Sequence, residues 1–362
     1  MTFPANTSAA PTRRDFVKTA GLGLAALGAL GQTMAADAPQ SIPEGADNFY
    51  RSRRVTVQKV RFPSQYQLQI AGNLVLPKNL ARDRRAPAII VGHPMGATKE
   101  QSAMLYAQKL AEQGFVTLAI DLPYWGESEG LPRSLVAPDT YADAFSAAAD
   151  YLAAQDFIAP ERIGVLGICG SGGFAISAAK LDPRLKAIAT VSMYDMGAVT
   201  RNGLNRAQTP AQRQALLAKA QQQRAQELAS GTPQWLDYLP LQLPPDADAV
   251  TREFHDFYRT PRGMHLPAGV PLERTQNRRL SSEVRFMNFY PFNDIESIAP
   301  RPLLFISGDQ AHSREFSEDA YRRAAGPKEL LWVPGAGHVD LYDRVTLIPW
   351  DRLAAFFTQH LA

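Results

Sequence analysis

The stretch Arg162-Ile163-Gly164-Val165-Leu166-Gly167-Ile168-Cys169-Gly170-Ser171-Gly172-Gly173 decides how the rest of this chain is read. A short apolar run breaks into small residues just where a helix would begin. That pattern predicts a sharp strand-to-helix turn, a nucleophile elbow, in which the residue at the bend has a strained backbone and a free side chain, and only small neighbours fit around it. Gly167 and Ser171 flank Cys169 two residues to either side. The bend also lies at the positive end of the following helix, where unpaired N–H groups and the helix dipole favour a thiolate and, later, an oxyanion. Cys169 is therefore the candidate nucleophile, and it is the single cysteine of the chain.

Two readings compete with it. A frame centred on Ser171 also meets the small-residue rule and makes Ser171 the alternative nucleophile, but it lengthens the strand. The apolar run ends at Ile168, which puts the bend at Cys169 and leaves Ser171 as a hydroxyl in the first helical turn. The other is a buried, inert thiol, the usual state of a free cysteine.

Working outward, apolar runs alternate with helical patterns. Val55, Val57 and Val60, then Leu68, Ile70, Leu74 and Leu76, alternate as an antiparallel pair of strands. Residues 88–91, 115–120, 163–168, 187–191, 303–306 and 330–333 are continuous apolar runs, as in strands covered on both faces. Residues 100–113, 141–154, 172–181, 315–325 and 350–361 carry apolar residues at helical spacing. The alternation predicts an α/β fold, a mostly parallel, doubly wound sheet that binds its ligand at the carboxyl ends of the strands. The core is expected over residues 50–199 and 291–362. Residues 200–290 break the rhythm and are too long for a simple loop, so they are expected to form a helical cap. Within it Phe254, Phe257 and Tyr258 either anchor the cap or line an acyl pocket.

His338 follows the last apolar strand in Pro334-Gly335-Ala336-Gly337-His338-Val339-Asp340, at the carboxyl edge beside the elbow. An imidazole there can hold the proton of Cys169 and form a thiolate–imidazolium pair near neutral pH. A carboxylate should orient that ring. Asp309, after the strand at 303–306, is the first candidate, although Ala311 stands where the acid commonly lies. Asp195 is the alternative acid, with Glu100 and Asp340 behind it. For the oxyanion, Gly170 offers one backbone N–H. The loop Gly92-His93-Pro94-Met95-Gly96-Ala97 offers the second through Met95, since proline has none. Tyr124 and Trp125 belong to the same rim and either pack on substrate or close a turn.

The amino terminus sets the compartment. Arg13 and Arg14, then Phe16 and Lys18, precede a weakly apolar run and the small residues Ala35 and Ala36. This order is that of a twin-arginine secretory signal over residues 1–35, whose apolar part is too short for a membrane anchor. A periplasmic or secreted protein is expected, with the twin-arginine export machinery as the precursor's partner. The formal net charge of +3 falls to about +1 once Arg13, Arg14, Asp15 and Lys18 are removed. That charge, without basic clusters interleaved with aromatics, argues against nucleic acid. One cysteine excludes an internal disulfide framework and a cysteine-ligated metal site. No site for a metal or cofactor is legible.

The elbow, the His93-Pro94-Met95-Gly96 loop, the Gly126-Glu127-Ser128 turn and His338 resemble the alpha/beta-hydrolase fold. A cysteine at the elbow resembles the dienelactone hydrolases. Lys99-Glu100-Gln101, Tyr258-Arg259-Thr260-Pro261-Arg262 and His338-Val339-Asp340-Leu341-Tyr342-Asp343 resemble a branch that includes fungal polyketide transferases. The resemblance implies a cysteine–histidine acyl-transfer apparatus and a small-molecule acyl substrate. The expected function is an exported hydrolase of an ester, lactone or thioester. The alternatives are an acyltransferase of the same fold and a non-catalytic small-molecule-binding protein.

Overall fold

The computed structural model describes residues 42–81, 83–236 and 238–362. The expected signal, residues 1–35, lies outside the described residues. Eight strands form one sheet: β1 (Val55–Pro63), β2 (Gln69–Pro77), β3 (Ala86–Gly92), β4 (Val116–Ile120), β5 (Ile158–Ile168), β6 (Leu185–Val191), β7 (Leu303–Gly308) and β8 (Lys328–Val333). Their order is β1-β2-β4-β3-β5-β6-β7-β8. β2 runs antiparallel to both β1 and β4, and all other neighbours are parallel. The apolar run 88–91 is fully buried in β3, as the continuous pattern requires. In β1 the alternation does not mark an inner face. Val57 is 47% exposed because β1 is the edge strand, blunted by Lys59 and Arg61.

Among the described residues, ten α-helices accompany the sheet: α1 (Ala103–Ala111), α2 (Pro138–Ala153), α3 (Gly170–Leu181), α4 (Met196–Asn202), α5 (Pro210–Ser230), α6 (Ala249–Tyr258), α7 (Leu280–Glu283), α8 (Arg314–Arg323), α9 (Asp340–Asp343) and α10 (Trp350–His360). Those expected from periodicity all appear, α2 beginning earlier with Pro138 in its first turn, where a missing N–H costs nothing.

The strand order places the site. From β3 the chain steps to β4 on one side, then crosses back to β5 on the other, so the order reverses between β3 and β5. At such a switch point the loops leaving the two strands part and open a crevice. Gly92 pairs with Gly167 in register, which brings the Met95 loop and the Cys169 turn side by side. Cys169 itself has φ 54°, a strained value for a residue with a side chain. A Cβ at Gly167 would sit 2.3 Å from the carbonyl oxygen of Ser171, and one at Gly170 would sit 2.7 Å from the Met95 Cβ. The small residues are therefore a steric condition of the bend.

The insertion between β6 and β7 contains α4 to α7. α5 carries a capping box between Thr209 and Gln212 and ends at Gly231 in the left-handed conformation. Only Ala220 and Gln223 of α5 are buried, so the helix rides on the outside. The insertion is tied to the core through Arg262, whose guanidinium is buried. It donates to Asp343 at 2.7 Å and Asp256 at 2.6 Å, and to the Val339 carbonyl at 3.3 Å.

Replacing Gly167 by alanine should lower the unfolding free energy by about 1–3 kcal/mol in chemical denaturation, since the clash is with backbone. A midpoint equal to that of the parent protein would show that the bend yields without cost.

Candidate active site

Three loops meet at the carboxyl end of the sheet. The turn after β5 presents Cys169, which is 6% exposed and caps α3. Its backbone is pinned by bonds from its N–H to Val191 and from the N–H of Tyr194 to its carbonyl, at 2.9 and 3.0 Å. The loop after β3 presents Met95. The sulfur is within hydrogen-bonding reach of the backbone N–H groups of Met95 and Gly170 and of the Tyr342 phenol. The two donors expected to face an oxyanion thus converge on the same small volume as the sulfur.

The loop after β8 presents His338, fully buried. Its carbonyl accepts from Ser192 at 2.8 Å, which fixes the loop against the end of β6. Nε2 lies 2.9 Å from the Tyr342 hydroxyl, and Tyr342 stands four residues on, in the single turn of α9. Sulfur, phenol oxygen and Nε2 stand in one row, with Tyr342 between the nucleophile candidate and the ring and hydrogen-bonded to the ring. Tyr258, from the cap, stands beside the same Tyr342, with ring centroids 6.3 Å apart. On the other side of the ring, Nδ1 meets Ser313 at 2.6 Å.

The carboxylates read from the sequence are elsewhere. Asp309 does not orient His338. It follows directly on β7, its N–H bonds Val333, and its Oδ1 accepts from Gly335 at 2.8 Å, bracing the turn after β8. Asp195 caps α4 by accepting from Ala198 at 2.7 Å, and burial raises its pKa to about 6. Glu100 pairs with Lys99 at 3.0 Å, and Asp340 accepts from Gly337 at 2.8 Å. Ser171 is fully buried, and its hydroxyl donates to the His93 carbonyl at 2.5 Å, so it holds the β3 loop and faces away from the crevice. Trp125 donates to Tyr141 at 3.0 Å and closes its turn.

The electrostatics correct the expected thiolate–imidazolium pair. Burial pushes the Cys169 thiol up to about 11, against the lesser, opposing pull of Tyr342, Gly170, Met95 and Arg278. Burial, and then His312, hold His338 well below the usual imidazole range. Both shifts favour uncharged partners at neutral pH. Tyr342, held well above the ordinary phenol range by burial, keeps its proton and can donate it to Nε2. Nδ1 then carries the ring proton toward Ser313.

A cavity of about 540 Å³ opens over Cys169, with Tyr194, Met196, Val199, Phe254 and Tyr258 among its walls. Of the aromatic trio in α6, Phe254 and Tyr258 face this cavity, while Phe257 packs edge-on against Tyr342. The Arg278 guanidinium also lines it, paired with Glu283 at 2.6 and 3.0 Å. The sequence reading passed over Tyr342, Ser313 and Arg278. The signal for Tyr342 was its place one helical turn beyond His338. Ser313 was hidden because a carboxylate was sought.

Comparison with known proteins agrees with this fold. The profile described as the alpha/beta hydrolase family matches residues 98–346. The uncharacterized protein PA2218 of Pseudomonas aeruginosa is 46% identical over 322 residues, 89% of this chain and 85% of its own. Its crystal structure superposes with a TM-score of 0.82, covering 89% of this chain and 99% of that one. The uncharacterized protein YcjY of Escherichia coli is 33% identical, covering 81% of this chain and 95% of its own. The alpha/beta hydrolase GrgF of Penicillium sp., also named a polyketide transferase, is 21% identical in its crystal structure with a TM-score of 0.69, over 84% of this chain and 99% of that one.

If the thiol is held neutral, iodoacetamide should alkylate native Cys169 at pH 7 about a hundredfold more slowly than a thiol at the reference value of 9.0. The rate should climb about tenfold per pH unit toward pH 11. Complete labelling within minutes at neutral pH would mean a preformed thiolate.

Proposed function

Because the chain belongs to the alpha/beta hydrolase family, we propose that it is an acyl hydrolase that cleaves an ester, thioester or lactone through a covalent intermediate on Cys169. The observation that carries this reading is the position of the sulfur. It sits within reach of two backbone N–H donors and of a phenol that is itself bonded to a buried imidazole.

The chemistry follows from that arrangement. As Sγ attacks the acyl carbon, the thiol proton passes to the Tyr342 oxygen while the phenol proton passes to Nε2 of His338. The carbonyl π bond opens and its oxygen takes the negative charge, facing the N–H groups of Met95 and Gly170. The tetrahedral intermediate collapses, the bond to the leaving group breaks, and that group takes a proton back along the same row. Water then attacks the acyl-enzyme with the row acting as base, and the carboxylic acid leaves. The charged pair forms only during the reaction, where the two donors stabilise it most. The cavity walls favour a largely apolar acyl group.

An acyltransferase uses the same steps with an alcohol or amine in place of water. The aromatic walls over a nucleophile 6% exposed favour that second reading, since they limit the access of water. The sequence adds export. Residues 1–35 read as a twin-arginine leader that directs the folded enzyme to the periplasm or the medium.

Assays on short aryl esters, thioesters and lactones, with and without an added alcohol, test both readings. Hydrolysis should be lost about a thousandfold or more in Cys169→Ala and in His338→Ala, while Ser171→Ala keeps turnover. Parent-level turnover in Cys169→Ala would end the proposal. Ester product formed in preference to acid in the presence of the alcohol would select the transferase.

A further inference from the structure

The row from Cys169 to His338 leaves the imidazolium formed in the reaction without a carboxylate of its own, because Nδ1 faces the neutral hydroxyl of Ser313. Asp309, Asp195, Glu100 and Asp340 are each engaged elsewhere. A carboxylate from the cap reaches the backbone directly beside His338. Glu253, in α6, accepts through Oε1 from the backbone N–H of Val339 at 2.7 Å, the residue next to His338. Its other oxygen lies 2.9 Å from Nδ1 of His312. The His312 ring lies across the His338 ring with centroids 4.7 Å apart and planes inclined by 37°. The far nitrogen of His312 is buried without a hydrogen-bond partner among the described residues, so Glu253 alone anchors that ring by hydrogen bonding.

We propose that Glu253 takes the place of the missing triad acid, as a positioning residue that holds the His338 loop and ring through Val339 and His312 and favours the imidazolium by its charge. The inference rests on the Cys169–His338 reading. Glu253 fixes the loop by a charge-assisted bond to the backbone and braces the His338 ring through the tilted imidazole of His312. The other groups facing this set are Cys169, the phenols of Tyr194, Tyr258 and Tyr342, Asp340 with its partner Arg344, and Arg262 with Asp256 and Asp343. The carboxylate sits on a cap helix while the ring sits on the core, so the base is complete only when the cap is seated.

Burial and the neighbouring His312 both disfavour charge on the His338 ring, and the Glu253 carboxylate bonded to His312 is the opposing charge. A carboxylate near the ring raises the proton affinity of His338, so removing it lowers that affinity. The acid limb of kcat/KM must then move to lower pH, and the plateau must fall because the imidazolium is harder to form. A residue that only braces the loop would lower the plateau and leave the limb in place.

The test is the pH profile of kcat and KM on an activated thioester for the full chain, Glu253→Gln, Glu253→Asp and Asp309→Asn. Glutamine keeps the size and the acceptor for Val339, and Glu253 is a quarter exposed, so folding should survive; melting temperatures check this. Glu253→Gln should lower kcat by about ten- to a hundredfold, the effect of one charge across an intervening ring in a protein interior, with KM little changed and the acid limb displaced downward. Glu253→Asp should keep the parent limb, and Asp309→Asn should behave as the parent. An unmoved limb in Glu253→Gln, an equal displacement in Glu253→Asp, or a displacement in Asp309→Asn would each overturn the assignment. Failure of the underlying reading looks different, since the parent protein would then turn over no acyl substrate.

Discussion

Burial of one sulfur atom governs this structure. Cys169 stands at a strained bend where the sheet reverses its order, 6% exposed and lining the cavity. In that setting the ionised thiol is penalised, and its pKa is pushed up to about 11. Everything placed around it answers that penalty. Two backbone N–H groups, a phenol and the Arg278 guanidinium each favour negative charge at the sulfur, and together they fall short of offsetting desolvation. On the proposed mechanism, such a site keeps its nucleophile quiet until a carbonyl arrives and spreads the charge onto oxygen.

The same constraint explains why core and cap are joined as they are. His338 is fully buried and held well below its ordinary pKa, so it too waits uncharged. Its loop is clamped from three directions: by Ser192 at the end of β6, by Glu253 from the cap, and by Arg262 through the Val339 carbonyl. Arg262 is buried between two carboxylates, Asp256 and Asp343, and bonds both. Cap and catalytic loop thereby share one polar network. On the proposed mechanism, movement of α6 would disturb the base as well as the acyl cavity.

Much of the fold and part of the site were legible in the sequence, and the boundary between what was and was not has a physical reason. The elbow could be read because its steric demands are local: Gly167 and Gly170 are where a Cβ would strike backbone or the Met95 side chain. Met95 was legible because Pro94 cannot donate. His338 followed from its place after the last strand. The acid was not legible. Strand alternation pointed to Asp309, yet its carboxylate turns back to Gly335, and the position against Nδ1 is filled by Ser313. Glu253 comes from an irregular insertion far along the chain, where no period or motif ties a residue to the sheet edge. Tyr342 lay within a quoted motif, but its meaning depends on one turn of helix pointing the phenol back at Nε2. Charge state was hidden for a broader reason, since desolvation is a property of the assembled interior and not of any local pattern.

The central claim is that the reacting atom is the sulfur of Cys169. Intact-mass and peptide-mapping spectrometry of the protein quenched in acid after mixing with a slowly hydrolysed acyl thioester tests it most directly. The account predicts one acyl group, carried on the peptide containing Cys169 and absent from Cys169→Ala. Acylation mapped to Ser171 or to any other residue, or turnover with no acylated species at any time, would contradict it.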